Sequence, residues 1–500
     1  MLARNLFANY AGQVWTALMG FLFVPIYVHQ LGVEAYGVIG MFGALIAWLA
    51  LLDAGLKPAL GREMARFTGG GADVEATWNL LRSVEILCIA ISLLIAGAAL
   101  ASANWMASSW VKADKLSPQT IAEAVSYMGA IAALRFIEGV YSSCLSGLQR
   151  HVSMNVVSVV MATVRSVGAV AVLAWVEASL SAFFVWQLVV SVLTVLVYWC
   201  IAYRAMPALS SRARFSVAAL KNSWGFAGGM LMITFLALLL TQVDKVLLST
   251  LIPLEDFGRY TLASVAAGAI FTLISPISVT FQPRLTQLHA AGQEREFTAT
   301  FHRGAQLVVV LGGSVAAIVI FHSEALLRIW LHDNELARQT SSLLAFLLAG
   351  NLMNGLCHMP YQAQLAHGMT RFPLLVNTLA AIVLVPLIFI VVPVYGAIGA
   401  AAIWASLNFG YLVVIAVFVF RSLLQSERKA WILGDVLKPL LPSMAVAALG
   451  RWLMPDDLGV FFTLVSLALL TALASAASLL VSGELFRRLL QRLHAKPSLF

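Results

Sequence analysis

Long runs of apolar residues, separated by short polar stretches, make up most of this chain of 500 residues. A helix that crosses a bilayer needs about 20 apolar residues, whereas a membrane-spanning β-strand needs about ten in alternation. The runs are of the first kind and predict an all-α integral membrane protein with about fourteen transmembrane helices. The predicted spans are residues 7–30, 37–58, 80–103, 120–146, 153–176, 179–203, 224–252, 259–282, 303–322, 339–366, 373–393, 395–420, 434–454 and 459–482.

Composition agrees with a lipid environment. Hydrophobic residues make up 61% of the chain and charged residues 11%, with a mean hydropathy of +0.90. Soluble domains carry about 25% charged residues. We expect no cleaved signal peptide, because the first apolar run is too long and lacks a small-residue cleavage pattern. The four cysteines fall inside predicted spans and are expected to be packing residues rather than disulfide or metal partners.

The chain repeats itself at one fixed spacing. Gly147-Leu148-Gln149-Arg150 recurs 221 residues later as Gly368-Met369-Thr370-Arg371. The same offset carries Glu34-Ala35-Tyr36-Gly37 onto Glu255-Asp256-Phe257-Gly258, and Arg82 onto Arg303. Such a long period predicts two pseudo-symmetric six-helix bundles. The predicted domains are 1–203, a cytoplasmic linker at 204–222, a second bundle at 223–421, and two extra helices with a basic tail at 422–500.

Basic residues alternate between the two sides of the predicted membrane. With the fourteen spans in place, 22 of the 31 Lys and Arg residues fall on one face and 6 on the other. Cytoplasmic loops are enriched in Lys and Arg, so both termini are predicted to be cytoplasmic. The net charge of +8 is spread over many loops, which argues against a nucleic-acid-binding surface. The remaining three cations lie within predicted spans and are Arg135, Arg165 and Lys245.

Charges deep in the first half are the leading candidates for substrate binding. Arg135 and Glu138 lie about midway along the fourth predicted span, and Arg165 lies roughly 20 Å into the fifth. A charge at the bilayer centre costs at least about 2.5–3.5 kcal/mol, so such residues face a partner or a water-filled cavity. Arg135 and Glu138 can also neutralise each other structurally. The charges do not recur in the second half, which favours an asymmetric anionic cargo over a requirement of the scaffold.

Other polar residues have two interpretations each. Asn9 and Gln13 form a stripe on the first helix that is either a solvated helix entry or part of a cavity lining. Asn354 lies on a polar face of the tenth helix that suits either substrate or interhelical hydrogen bonds. Interfacial ion pairing is the alternative for the residues that we predict to couple or gate transport, which are Asp53, Lys57, Arg62, Arg82, Glu85, Asp244 and Lys245.

Two motifs resemble a known family. Leu145-x-Gly147-Leu148-Gln149-Arg150 precedes Asn155, and Leu52-Asp53-Ala54-Gly55-Leu56 precedes Arg62-Glu63-Met64-Ala65. These residues resemble the O-antigen type polysaccharide flippases of the multidrug/oligosaccharidyl-lipid/polysaccharide exporter superfamily. The resemblance implies a central cationic cavity that alternates between the two leaflets of the bacterial inner membrane. It also implies an undecaprenyl-pyrophosphate-linked oligosaccharide as cargo, surrounding membrane lipids, and a polysaccharide polymerase and export proteins as partners.

Three alternatives remain open at the level of the sequence. The two extra helices also resemble the lipid II flippase branch of the superfamily. A multidrug or cation exporter would prefer carboxylates in its cavity, whereas arginine dominates here. A membrane-embedded polymerase needs a large outer loop or an acidic cluster, and the chain offers neither. No nucleotide-binding loop occurs, so we expect a transporter without a cofactor or an ATPase site.

Overall fold

A computed structural model describes the backbone of residues 2–68, 73–207, 213–369, 371–455, 458–483 and 485–486, with their side chains except those of 2–11, 50, 53–56 and 218–233. Throughout this described part the fold is helical and contains no β-strand. Packing divides the chain into two compact units, Met1–Thr261 and Leu262–Phe500. The division at 204–222 follows the sequence repeat and stays a prediction.

The first unit contains eight complete helices and the start of a ninth. They are α1 (Leu2–Leu22), α2 (Val24–Leu31), α3 (Val33–Thr68), α4 (Val74–Trp105, continued by a π-helical turn, Met106–Trp110), α5 (Pro118–Gly147), α6 (His151–Trp175), α7 (Leu180–Ala205), α8 (Val217–Leu251) and α9 (Leu254–Gly268).

The second unit holds the end of α9 and the remaining helices. They are α10 (Phe271–Ala290), α11 (Glu294–Val308), α12 (Ser314–Phe321), α13 (Ser323–Leu331), α14 (Asn334–Leu356), α15 (His358–Ala366), α16 (Arg371–Val414), α17 (Phe420–Ser422), α18 (Lys438–Leu453) and α19 (Val460–Val481), with π-helical stretches at Val309–Gly313, Ile415–Val419 and Ala430–Leu437.

The predicted spans coincide with helices to within a few residues, but the count of fourteen is not confirmed. Eleven helices in the described part are long and apolar enough to cross a membrane, or twelve when the bent pair α9 and α10 is one span. The apolar part of α3, Val33–Leu49, is shorter than a full span. Two predicted spans join in α16, where Gly396 adopts φ 59° and breaks the helical path. Glycine tolerates this left-handed conformation because it has no Cβ.

The two copies of one repeat motif touch each other inside the first unit. A Cβ atom on Gly37 would lie 2.7 Å from the Leu254 carbonyl oxygen, and a Cβ on Gly258 would collide with the Val33 carbonyl. Val33 and Gly37 correspond to Leu254 and Gly258 at the offset of 221 residues. The contact is therefore reciprocal, as across a local two-fold axis, and only glycine permits so close an approach of the backbones.

The other copied motif is not equivalent residue for residue. After α5, Gln149 takes φ 59° and Arg150 N donates to Leu145 O at 2.9 Å. After α15, Gly368 takes φ 71° and Met369 N donates to Gln364 O at 2.9 Å. Both turns are left-handed helix ends of the same type. Gly368 thus corresponds in structure to Gln149, two residues beyond the Gly147 that the sequence match pairs with it.

The C-terminal helices α18 and α19 pack against each other and against α12. Ala317, Ile318, Ala447, Leu467 and Ala474 form their shared apolar core. Small residues let helices approach closely in lipid. The extra pair is therefore an integral part of the second unit.

Candidate functional site

A charged cluster lies where α3 meets α5 in the first unit. Lys57 is buried on α3, and its Nζ lies 4.4 Å from the centroid of the Phe136 ring. The same Nζ also lies against Gly139, where any Cβ would collide with it. Glu138 interacts electrostatically with both Arg135 and Lys57. The cluster of Lys57, Arg135 and Glu138 thus combines two cations with one carboxylate.

Arg135 and Glu138 do not satisfy each other. No ion pair within 4.0 Å joins them among the side chains that the structure describes. Arg135 Nε and Glu138 Oε2 are buried and make no hydrogen bond within the described residues. Buried polar groups are normally paired, and an exception calls for an explanation. The purely structural pair that the sequence allowed is therefore not formed at hydrogen-bonding distance.

Arg165 is held on α6 by contacts from two neighbouring helices. The Trp186 indole N–H of α7 donates to the Arg165 carbonyl at 3.2 Å, and its ring lies over Gly168, which has no side chain to obstruct it. From α2, the Tyr27 hydroxyl donates to the Ser166 carbonyl at 3.3 Å. Arg165 Nε is buried without a hydrogen-bond partner among the described residues. The backbone is thus fixed while the guanidinium retains an unused donor.

The pair predicted on α4 is anchored to its neighbour α7. Arg82 Nη1 donates to Glu85 Oε2 at 3.2 Å, and the buried Glu85 carboxylate accepts the Tyr203 hydroxyl at 2.9 Å. Arg62 contacts its sequence neighbour Glu63 at 3.2 Å on the surface. These contacts match the interfacial ion pairs that were the alternative to gating, and a gating role for Arg62, Arg82 and Glu85 stays a prediction.

Asp244 and Lys245 on α8 have different partners. The Tyr260 hydroxyl donates to Asp244 Oδ2 at 2.6 Å, and Lys245 Nζ donates to Gln242 Oε1 at 3.0 Å. The pairing of Lys57 with Asp53 falls on a side chain, that of Asp53, outside the described residues. Roles in coupling or gating remain predictions for all three candidates.

The predicted polar strips divide in the same way. Gln13 is exposed on α1, and the Asn9 side chain lies outside the described residues. In the second unit, Asn354 Nδ2 donates to Asn408 Oδ1 at 2.8 Å, which joins α14 to α16. This contact is the interhelical hydrogen bond that was the alternative to substrate binding for Asn354, whose substrate role stays a prediction.

Sequence reasoning missed one buried polar cluster. His302 on α11 bonds through Nδ1 to Asp435 and through Nε2 to Glu427 at 3.1 Å, while Gln306 donates to Asp435 at 2.8 Å. This group, the His302 cluster, joins α11 to the segment that leads into α18. We described the final helices as almost purely lipophilic, which is wrong at Asp435. A carboxylate at the start of an apolar run was the available signal. The described residues contain no group arranged to hold a metal ion.

A family model described as a polysaccharide biosynthesis protein matches residues 2–289, more than half of the chain. The chain belongs to this family. A second model, MatE, matches residues 229–390 of this polysaccharide biosynthesis protein. A Shigella flexneri protein named as an O-antigen transporter is 21% identical over 406 residues, which covers 80% of this chain and 94% of the relative.

Solved structures share the fold at low sequence identity. A lipid II flippase MurJ in an inward closed conformation has a TM-score of 0.70 at 14% identity and covers 98% of this chain and 100% of its own. An inward-facing multidrug resistance MATE transporter of the MOP superfamily has a TM-score of 0.67 at 13% identity, with coverages of 83% and 95%. This polysaccharide biosynthesis protein is therefore a multi-span membrane transporter of that superfamily, as the motifs indicated, and not an enzyme.

Proposed function

We propose that this transporter flips a polyprenyl-pyrophosphate-linked oligosaccharide, such as an undecaprenyl-linked O-antigen, capsule or exopolysaccharide unit, across the bacterial inner membrane. The proposal rests chiefly on cationic side chains with unused donors within the spans of the first unit. Arg135 and Arg165 each keep a buried Nε without a hydrogen-bond partner among the described residues, and Lys57 adds a third cation beside them. An anionic cargo suits this charge balance better than a cationic drug.

The chemistry of the cargo fits these groups. A pyrophosphate concentrates negative charge, and the planar guanidinium of arginine presents a fork of donors that matches phosphate oxygens. A sugar headgroup cannot cross hydrocarbon unaided, because each hydroxyl without a partner costs several kcal/mol there. Polar groups along the path replace those lost partners while the polyprenyl tail stays in lipid. Alternating access of the two repeats then carries the headgroup from the cytoplasmic to the outer leaflet.

Transport of defined cargoes in proteoliposomes tests this function. The full-length protein should accelerate translocation of a fluorescent polyprenyl-pyrophosphate oligosaccharide at least about tenfold over protein-free liposomes. A phosphatidylcholine carrying the same fluorophore serves as the control for scrambling. Faster translocation of lipid II than of the oligosaccharide would assign the cargo to the other pyrophosphate-linked class. Transport of a cationic dye without movement of either lipid would contradict the proposal.

The proposed direction requires both termini in the cytoplasm, which follows from the distribution of basic residues. A cysteine in place of the exposed Glu177 should react with an impermeant thiol reagent applied to intact cells, and one in place of the exposed Gln293 should react only after the membrane is opened. The unsubstituted protein is the control, since its four native cysteines lie within helices. Labelling of the Gln293→Cys variant in intact cells would reverse the orientation.

A further inference from the structure

A polar pocket of about 570 Å³ lies within the second unit, at one end of the helices that enclose it. It is bounded by the end of α12, by α13, by the first half of α14, and by the loop between α18 and α19. None of the residues that line it belongs to the proposed transport site. Its polar lining residues are His322, Glu324, Arg328, Ser341, Arg451 and Thr463.

The pocket has an excess of positive charge. Arg328 and Arg451 both line it, on different helices. Glu324 is the one carboxylate among the described lining residues, and its Oε1 accepts a hydrogen bond from Arg328 Nη2 at 3.0 Å. One arginine is thereby balanced within the lining and the charge of Arg451 is left over. The pocket therefore favours an anion.

His322 adds a buried group without a partner. It is only 3% exposed, and its Nε2 has no hydrogen-bond partner among the described residues. His322 directly precedes α13, a helix of nine residues whose first turn has no side-chain cap. The first turn of a helix presents backbone N–H groups that favour an anion. An imidazole nitrogen, an uncapped helix start and two guanidinium groups thus converge on one cavity.

The mouth of the pocket borders a surface suited to lipid. Trp452, Leu453 and Phe461 are 82%, 67% and 71% exposed beside it. Aromatic residues gather at the level of the lipid headgroups, and such a large exposed apolar patch marks contact with a membrane or partner. Met454 and Val460, which line the pocket itself, continue this apolar surface inward. The site suits an amphiphile with an anionic head better than a small hydrophilic ion.

We propose that this pocket binds the phosphate group of an anionic phospholipid, with Arg328 and Arg451 on the phosphate and the acyl chains along the exposed apolar surface. The predicted topology places the pocket at the outer leaflet. The lipid would hold α13 against the extra pair α18 and α19. The inference does not depend on the proposed cargo, and its test requires no transport.

Binding to the purified full-length protein in detergent, measured by native mass spectrometry, tests the site. Dioleoyl phosphatidylglycerol should bind at least about tenfold more tightly than dioleoyl phosphatidylcholine, and Arg328→Gln and Arg451→Gln should each weaken its binding about tenfold, as for a lost charged hydrogen bond. The matched control is Arg338→Gln, because Arg338 is exposed at the same end, pairs with Glu335 at 2.8 Å, and lies outside the pocket lining. It should bind like the wild type.

Several outcomes would overturn the proposal. Equal affinity for the two lipids in the wild-type protein would do so without any variant, as would an equal loss in Arg338→Gln. Should Arg451→Gln fail to fold, Arg451→Lys must retain part of the preference for phosphatidylglycerol. If sodium phosphate alone protects the protein against heat in an Arg451-dependent manner and phosphatidylglycerol adds nothing, the ligand is free phosphate and the lipid proposal fails.

The pH dependence gives an independent readout. Burial lowers the pKa of His322 below its ordinary value, and the nearby Arg451 lowers it further, while the Ala447 carbonyl opposes them. The charged groups facing the ring from the pocket are Glu324, Arg328 and Arg451. A bound phosphate would raise the pKa again, so binding takes up protons and affinity should rise as pH falls from about 7.5 to about 5.5. His322→Gln should flatten this dependence, and an unchanged slope would remove His322 from the site.

Discussion

Export should fall by at least about tenfold when Arg165 is replaced by alanine, because a charged hydrogen bond is worth about 1.5–3 kcal/mol and each 1.4 kcal/mol is a factor of ten. The contacts that hold α6 at this point are made to backbone carbonyls and not to the guanidinium. The variant should therefore remain in the membrane at normal abundance. Arg165→Lys should restore only part of the activity, since a point charge replaces a planar fork.

The measurement for Arg165 is surface polysaccharide per amount of membrane protein in a strain that lacks its own copy. Arg204→Ala provides the matched control, because Arg204 is an exposed arginine in the last turn of α7 and no substrate role is predicted for it. That control should export normally. Wild-type export by the alanine variant, at equal abundance, would remove Arg165 from the path of the cargo.

The second large effect is expected at Arg135 and Glu138. Breaking a buried ion pair costs about 3–5 kcal/mol, and removing both partners together should then rescue folding. The two side chains form no close pair among the described residues, and Glu138 also interacts with Lys57. We therefore expect Glu138→Gln to keep substantial export and Arg135→Gln to lose at least about tenfold. The double variant should be abundant in the membrane and inactive.

Membrane abundance and surface polysaccharide, measured together for both single variants and the double variant, separate the two interpretations. Low abundance of each single variant with recovery in the double would indicate a structural pair. Full export by an abundant double variant would show that Arg135 does not contact the cargo. The single variants act as controls for each other because they remove opposite charges one helical turn apart.

Apolar run length predicted the positions of the helices well, because lipid imposes that signal along the chain itself. The repeat was predictable only in part. Gly37 and Gly258 are equivalent in structure because each accommodates a backbone from the other copy, whereas Gly147 and Gly368 match in sequence alone. A turn can be closed by Gln149 or by Gly368, since both adopt the left-handed conformation at the helix end.

The side-chain partners could not be predicted, because they come from distant parts of the chain. Lys57 reaches the ring of Phe136, and His302 reaches Asp435 across 133 residues. Periodicity indicates which face of a helix is polar and gives no information about which helix lies opposite. Asn354 illustrates the limit, since its polar face suited a substrate or a neighbouring helix equally and the structure shows the amide bonded to Asn408.

The His302 cluster has a consequence for how the length of such chains can change in evolution. His302 and Gln306 belong to the six-helix part of the second repeat, yet their buried partner Asp435 belongs to the extra helices. A gene truncated after α17 would leave an imidazole and an amide facing lipid, each without a partner and each costing several kcal/mol. Loss of the last two helices is therefore tolerated only after apolar residues replace His302 and Gln306. Positions 302, 306 and 435 should accordingly vary together among relatives, with polar residues at 302 and 306 confined to chains that retain the extra pair.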